Sequence, residues 1–262
     1  MSEFDTDHAV TPTAHHEYVT AVSDRWTAFG GLPNGGHLLA LCLRALSAEL
    51  SHPDPLVVSA HYLRPAVIGP ATVRTEVVRS GRRLATGEAR LTQDDKEVVR
   101  VVASYSDLGK AAGRTEVFAE PPALPAPDAC TDPLGGYSMP GIALTERLEF
   151  RAANVPGWMT GAPGNDPRME LWVRFRDGRA PDPQALAAIV DFLPPVVVDL
   201  GETTSSTIEL TVHVRRRPEP GWLACRVSTR FVLDGLHEED FEIWDSAGNL
   251  VAQSRQLALL PS

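Results

Sequence analysis

Several short runs in this sequence carry residue types that could do chemistry. One carboxylate stands in an otherwise apolar stretch, Ile189-Val190-Asp191-Phe192-Leu193. A carboxylate drawn out of water there gains basicity, because burial disfavours its charged form, and it could then accept a proton from water. The same residue could equally be a solvated or helix-capping carboxylate. Nearer the start of the chain, Asn34-Gly35-Gly36-His37 opens a long apolar run. The free N–H groups of a helix beginning there would favour a developing oxyanion, and glycine permits close approach of a substrate. Asn34, Gly35, Gly36 and His37 are therefore candidate substrate-binding residues, although a Gly-Gly pair also serves as a plain turn or packing point.

Other runs carry less. Gly136-Tyr137-Ser138-Met139-Pro140 misses the GxSxG nucleophile pattern at its last residue. His15-His16 is too isolated for a metal site, and His61 reads as a satisfied sheet histidine. Arg215-Arg216-Arg217 could meet phosphates but reads more simply as a solvated strand end. No GxGxxG follows a strand and no GxxxxGK[ST] occurs, so nucleotide binding of those kinds has no support. No metal and no cofactor is expected.

Composition narrows the setting. The 262 residues are 43% hydrophobic and 22% charged, the balance of a globular protein with a sizeable core. A net charge of −10 argues against a nucleic-acid surface, which needs clustered positive charge, but leaves room for one phosphorylated small molecule held by a few arginines. Lys96 and Lys110 are the only lysines, and the usage rich in Arg, Ala, Pro and Val points to a GC-rich bacterial source. Cys42, Cys130 and Cys225 form no CxxC pair, which argues against a disulfide framework or zinc site and fits a reducing compartment. The acidic N-terminus reads as no signal peptide, and no run approaches the roughly 18 apolar residues of a membrane helix. The expectation is a cytoplasmic protein without nucleic-acid or membrane partners.

The elements that must position these residues come in two similar sets. Residues 109–140, with Glu120-Pro121-Pro122-Ala123-Leu124-Pro125-Ala126-Pro127, read as a linker, because such a segment cannot pair inside a sheet. It separates an N-terminal domain at 15–108 from a C-terminal domain at 141–262. In the first, a helix buried on most sides runs from His37 through Leu46, and strands follow at 56–62, 71–78, 85–92 and 98–105, with a tight turn at Asp94-Asp95-Lys96. In the second, strands at 142–151 and 169–176 precede a helix over about 183–194. Strands at 206–215, 222–233, 239–244 and 250–259 complete it, the last two joined by Ser246-Ala247-Gly248-Asn249. Leu63-Arg64-Pro65 matches Arg216-Arg217-Pro218, and residues 92–99 match 244–251. An internal repeat of a helix followed by an antiparallel meander predicts an α+β double hotdog, two central helices each wrapped by a curved sheet.

Three passages resemble the acyl-CoA thioesterase II family and its thioesterase-like relatives: Val57-Val58-Ser59-Ala60-His61-Tyr62-Leu63-Arg64-Pro65, Ile189-Val190-Asp191-Phe192-Leu193, and Leu250-Val251-Ala252-Gln253-Ser254-Arg255-Gln256. The resemblance spans roughly residues 20 to 260. It implies hydrolysis of an acyl-CoA by a water held by an Asp, a Ser or Thr, and a Gln. The matching catalytic positions are Asp191 in the second helix, Thr207 at the start of the next strand and Gln256 on the last strand; Ser205, Ser206 and Thr211 lie in the same run as Thr207. The first half offers no carboxylate near Asn34 and places Ser104 opposite Gln256, which implies one site per chain, in the groove between halves. Leu38, Leu39, Phe192 and Leu193 are expected in the acyl pocket. A homo-oligomer and a role in fatty acid metabolism also follow from the resemblance. Two rivals stand beside it. Hotdog hydratases pair an Asp with a His five residues later, where Asp191 is followed by Val196 and Asp166 by Leu171. A non-catalytic acyl-CoA or acyl-chain binding module is the other, since fold alone does not give function.

Overall fold

Two buried helices of unequal length set the architecture. The computed structural model describes residues 1–260. Its helices are α1 (Glu3–Asp7), α2 (Gly35–Glu49), α3 (Leu144–Arg147) and α4 (Pro183–Ile189). Six strands belong to the first half: β1 (Thr11–Ala14), β2 (Glu17–Val22), β3 (Asp54–Tyr62), β4 (Gly69–Ser80), β5 (Ala85–Gln93) and β6 (Lys96–Ser106). Seven belong to the second: β7 (Leu148–Arg151), β8 (Arg168–Phe175), β9 (Ser206–Val214), β10 (Leu223–Ser228), β11 (Val232–Leu233), β12 (Leu236–Trp244) and β13 (Leu250–Leu259).

The strands form one antiparallel sheet in the order β1-β2-β4-β5-β6-β3-β9-β13-β12-β10-β8-β7, with β11 paired to β12. The halves meet at β3 and β9, where Val57 faces His213 and His61 faces Glu209. Because this junction is itself a ladder, the sheet passes from one half to the other without an exposed edge. The turn between β5 and β6 puts both Asp94 and Asp95 at positive φ, the backbone of the mirror-image hairpin turn.

α2 is apolar on nearly every side and buried on nearly every side: Leu39, Leu41, Cys42, Leu43, Ala45 and Leu46 have no exposed surface. Asn34 caps its start by accepting the His37 N–H. α4 is shorter and built from small residues, with Ala185, Leu186, Ala187, Ala188 and Ile189 all fully buried. Asp182 caps it through the Ala185 N–H, and Pro183 occupies the first turn, where no donor is lost. The expected helix over about 183–194 stops at Ile189. A tightened turn follows, in which the Asp191 and Phe192 N–H groups donate to Ala188 and Ile189, and Pro194-Pro195 cannot continue a helix.

One further expectation changes, and a segment ahead of the expected first domain is folded. The segment around 142–151 is a short helix, α3, followed by the four residues of β7. The N-terminus is folded: α1 buries Phe4 against Trp26 and Phe175, and β1 and β2 extend the sheet beyond β4. Only isolated apolar residues mark that segment in sequence, so periodicity gives no signal there.

Candidate active site

A cavity of about 500 Å³ opens where the start of α2, the turn after α4 and the ends of β3, β9 and β13 meet. That volume lies within the range of small-molecule sites. Asn34, Gly35, Tyr62, Asp191, Thr207 and Gln256 all border it. Sequence positions in both halves are thus brought together by the β3–β9 junction and by the crossing of α2 over α4.

Asp191 sits against the first turn of α2. Its Oδ2 accepts the Gly36 N–H at 2.7 Å, while Asn34 Nδ2 donates to the Asp191 carbonyl at 2.6 Å. A helix start favours negative charge, yet burial wins: it pushes the Asp191 pKa up to about 7, against the opposing pull of Gly36 and Asn34. The carboxylate is therefore half-ionised near neutrality, a useful condition for a base. The two glycines make the contact possible. A Cβ on Gly35 would stand 2.7 Å from Asp191 Oδ2, and one on Gly36 would stand 2.4 Å from the Ala188 carbonyl oxygen.

Thr207 and Gln256 are neighbours across β9 and β13. Thr207 Oγ1 donates to Gln256 Oε1 at 2.9 Å. A bulge makes this contact. Gln256 pairs with Leu210 and Leu257 with Glu209, but Ala258 pairs with Thr207, so Ile208 is the extra residue. Strict alternation from buried Leu210 would turn Thr207 away from the interior; the bulge turns it back.

Behind Gln256 stands Glu239, a buried carboxyl that sequence reasoning missed. Gln256 Nε2 donates to Glu239 Oε1 at 2.9 Å, and the Val196 N–H donates to Oε2 at 2.8 Å. This fixes the Gln256 amide with its oxygen toward Thr207. Burial, with the nearby Asp191 charge adding to it, pushes Glu239 up to about 8. The available signal was Glu239 on the inward face of β12 between His237 and Phe241.

Both carboxyls bind a proton more tightly folded than unfolded. Their stabilising contribution is therefore complete below the ordinary carboxylate range, falls as pH rises, and levels off above about pH 8. Glu239→Gln is expected to flatten part of the fall in Tm between about pH 5 and pH 8. Thermal melts across that range check it, and a slope identical to that of the unmodified protein would contradict the assignment.

A sequence model of the acyl-CoA thioesterase C-terminal domain matches residues 119–260, and one of the acyl-CoA thioesterase N-terminal domain matches residues 22–106. The chain belongs to the acyl-CoA thioesterase family. A crystal structure of a Thermobifida fusca YX protein, provisionally assigned as a thioesterase II, superposes with a TM-score of 0.90 at 31% identity, covering 100% of this chain and 98% of that one. A hot dog fold protein of unknown function from Alicyclobacillus acidocaldarius gives 0.84 at 21% identity, over 100% and 99%. An uncharacterized protein of Mycobacterium tuberculosis H37Rv is 27% identical over 266 residues, covering 92% of this chain and 90% of its own. The double hotdog is thereby shown, and membership of the family supports acyl-thioester hydrolysis as the chemistry.

Not every candidate residue of the thioesterase reaches the cavity. His37 does not border it: Nε2 accepts the Ser23 N–H at 3.1 Å and Nδ1 lies 2.8 Å from His8 Nε2. As the third residue of α2 it points into the core beside Trp26, and burial pushes its pKa down to about 3, so it stays neutral. The expectation that His37 binds substrate is corrected. Gly36 acts through its N–H on Asp191, and the neighbouring Gly35 borders the cavity. Leu38, Phe192 and Leu193 line the cavity, whereas Leu39 turns into the core. Arg217 is held by Asp54 and Asp107, and Arg216 bonds Asn249. His61 is exposed on the sheet. Sequence reasoning also missed walls from irregular segments: Leu134 and Met139 of the linker, and Trp158 and Met159 of the loop before β8. Such residues carry no periodic signal.

Proposed function

We propose that this thioesterase hydrolyses acyl-CoA thioesters with a water held by Asp191, Thr207 and Gln256. The observation that carries the reading is the buried Asp191, seated on the first turn of α2 in the same cavity as the bonded Thr207–Gln256 pair. Thr207 commits its proton to Gln256 Oε1, which leaves its lone pairs to accept from water. The water's other proton points at Asp191, so Gln256 holds the water by orienting the Thr207 hydroxyl. The Asp191 carboxylate takes the water's proton as its oxygen bonds to the thioester carbonyl carbon. The tetrahedral oxyanion then collapses, the C–S bond breaks, and the CoA thiolate leaves with the proton Asp191 received. No covalent acyl-enzyme is needed; the gain comes from orientation and a matched base.

Because Gly36 spends its N–H on Asp191, the donor left for the oxyanion at this helix start is Gly35 N–H, which has no protein acceptor among the described residues. Apolar walls such as Phe29, Phe150 and Leu171 suit an aliphatic or aromatic acyl group. Exposed Val57, Ile208 and Leu257 on the neighbouring strands β3, β9 and β13 support self-association of copies.

Only ionised Asp191 can act as base, so kcat/KM is expected to rise with pH through a midpoint near 7. A pH–rate profile with an acyl-CoA tests this. A rate that is flat between about pH 5 and pH 8 would remove Asp191 from the proton transfer.

A further inference from the structure

The Tyr62 hydroxyl has no hydrogen-bond partner and its oxygen is shut off from solvent. An unpaired buried hydroxyl is costly, and phenylalanine would fill the same space without the cost. Tyr62 ends β3 and its ring borders the active cavity. Its nearest chemistry is Asp191. The point where a Gly35 Cβ would stand lies 2.7 Å from Asp191 Oδ2 and 3.0 Å from both Cε1 and Cζ of the Tyr62 ring. Ring and carboxylate thus lie against the same face of one glycine. The hydroxyl is hidden from the open part of the cavity, which favours action on Asp191 over contact with substrate.

Groups around the pair are few. Asp191 faces Gly36 N–H and Asn34 from the start of α2, and Glu239 from β12. Tyr62 faces Asp191, Cys42 of α2 and Glu209 of β9. Burial, and then the Asp191 charge, hold its phenol protonated, so it can serve only as a donor.

We propose that Tyr62 is a positioning residue for Asp191: its hydroxyl donates to the carboxylate when Asp191 ionises, holding the charged form ready to take the water's proton. This rests on Asp191 being the base. A donor to the ionised form lowers a carboxylate's pKa, so its removal must raise it.

The test is Tyr62→Phe, read in two ways. A ¹³C NMR titration of the Asp191 carboxyl, assigned with Asp191→Asn, is expected to show the midpoint moving up by about one pH unit. The rate at pH 7 is expected to fall about fivefold and to recover as pH rises, because a smaller fraction of Asp191 is ionised. Below about pH 5, where Asp191 is protonated and the hydroxyl has no partner, Tm is not expected to drop, whereas above the Asp191 midpoint it should fall with the lost donor. An unmoved midpoint would overturn the proposal. So would a rate loss equal at every pH, which would place the hydroxyl on substrate. The titration needs no turnover: a shifted midpoint in a protein that hydrolyses nothing would keep Tyr62 beside Asp191 and discard the hydrolytic reading.

Discussion

Replacing Asp191 with Asn is expected to lower kcat by about 10²–10⁴-fold, the range supplied by a positioned general base. Asparagine keeps the shape and can still accept the Gly36 N–H, so the first turn of α2 and the cavity walls should stay in place. It cannot take a proton from water at any working pH. Binding of an acyl-CoA is therefore expected to survive, read as a thermal shift on adding the ester. The variant should also lose part of the pH dependence of stability, because the buried carboxyl that resists ionisation is gone. Near-normal kcat would mean that another group activates the water. Loss of both activity and binding would mean that Asp191 only braces the helix start.

The second large effect is structural. Gly36→Ala would bring a Cβ to 2.4 Å from the Ala188 carbonyl oxygen, a backbone atom that cannot swing aside. α2 and α4 would have to part, at a cost of about 1–3 kcal/mol for overpacking a core contact. The Gly36 N–H would leave Asp191, so activity should fall by more than about tenfold, the effect of losing one charge-assisted hydrogen bond. Gly35→Ala makes a useful contrast. Its Cβ would press on the Asp191 carboxylate and the Tyr62 ring, which are side chains and can yield. It should cost activity with less loss of stability. Urea melts and kcat for the pair check both, and a Gly36→Ala protein as stable as its parent would contradict the close crossing.

How much of this was legible in sequence depends on where the information lies. Helices α2 and α4 show as continuous apolar runs because they are buried on nearly every side, and most strands show as apolar–polar alternation because they have one buried face. The internal repeat gave the architecture. Asp191 was visible as a lone carboxylate in an apolar run, and the structure brings Thr207 and Gln256 to the same cavity. The facing of Thr207 was not legible, because a bulge at Ile208 inverts the expected alternation. His37 read as a site residue because it follows Asn34-Gly35-Gly36, but the helical turn aims it at His8 instead. Glu239 was hidden by the habit of assigning charged residues to the outer face. Linker residues such as Met139 became cavity walls through long-range packing, which no local pattern encodes.

The most direct test of the account is release of CoA thiol from a panel of acyl-CoAs, short to long and including an aromatic ester, followed with a thiol-reactive dye. Turnover of at least one apolar ester, lost in Asp191→Asn, is the expected result. Silence across the panel, with thermal shifts showing that the esters bind, would contradict it and leave an acyl-CoA binding protein.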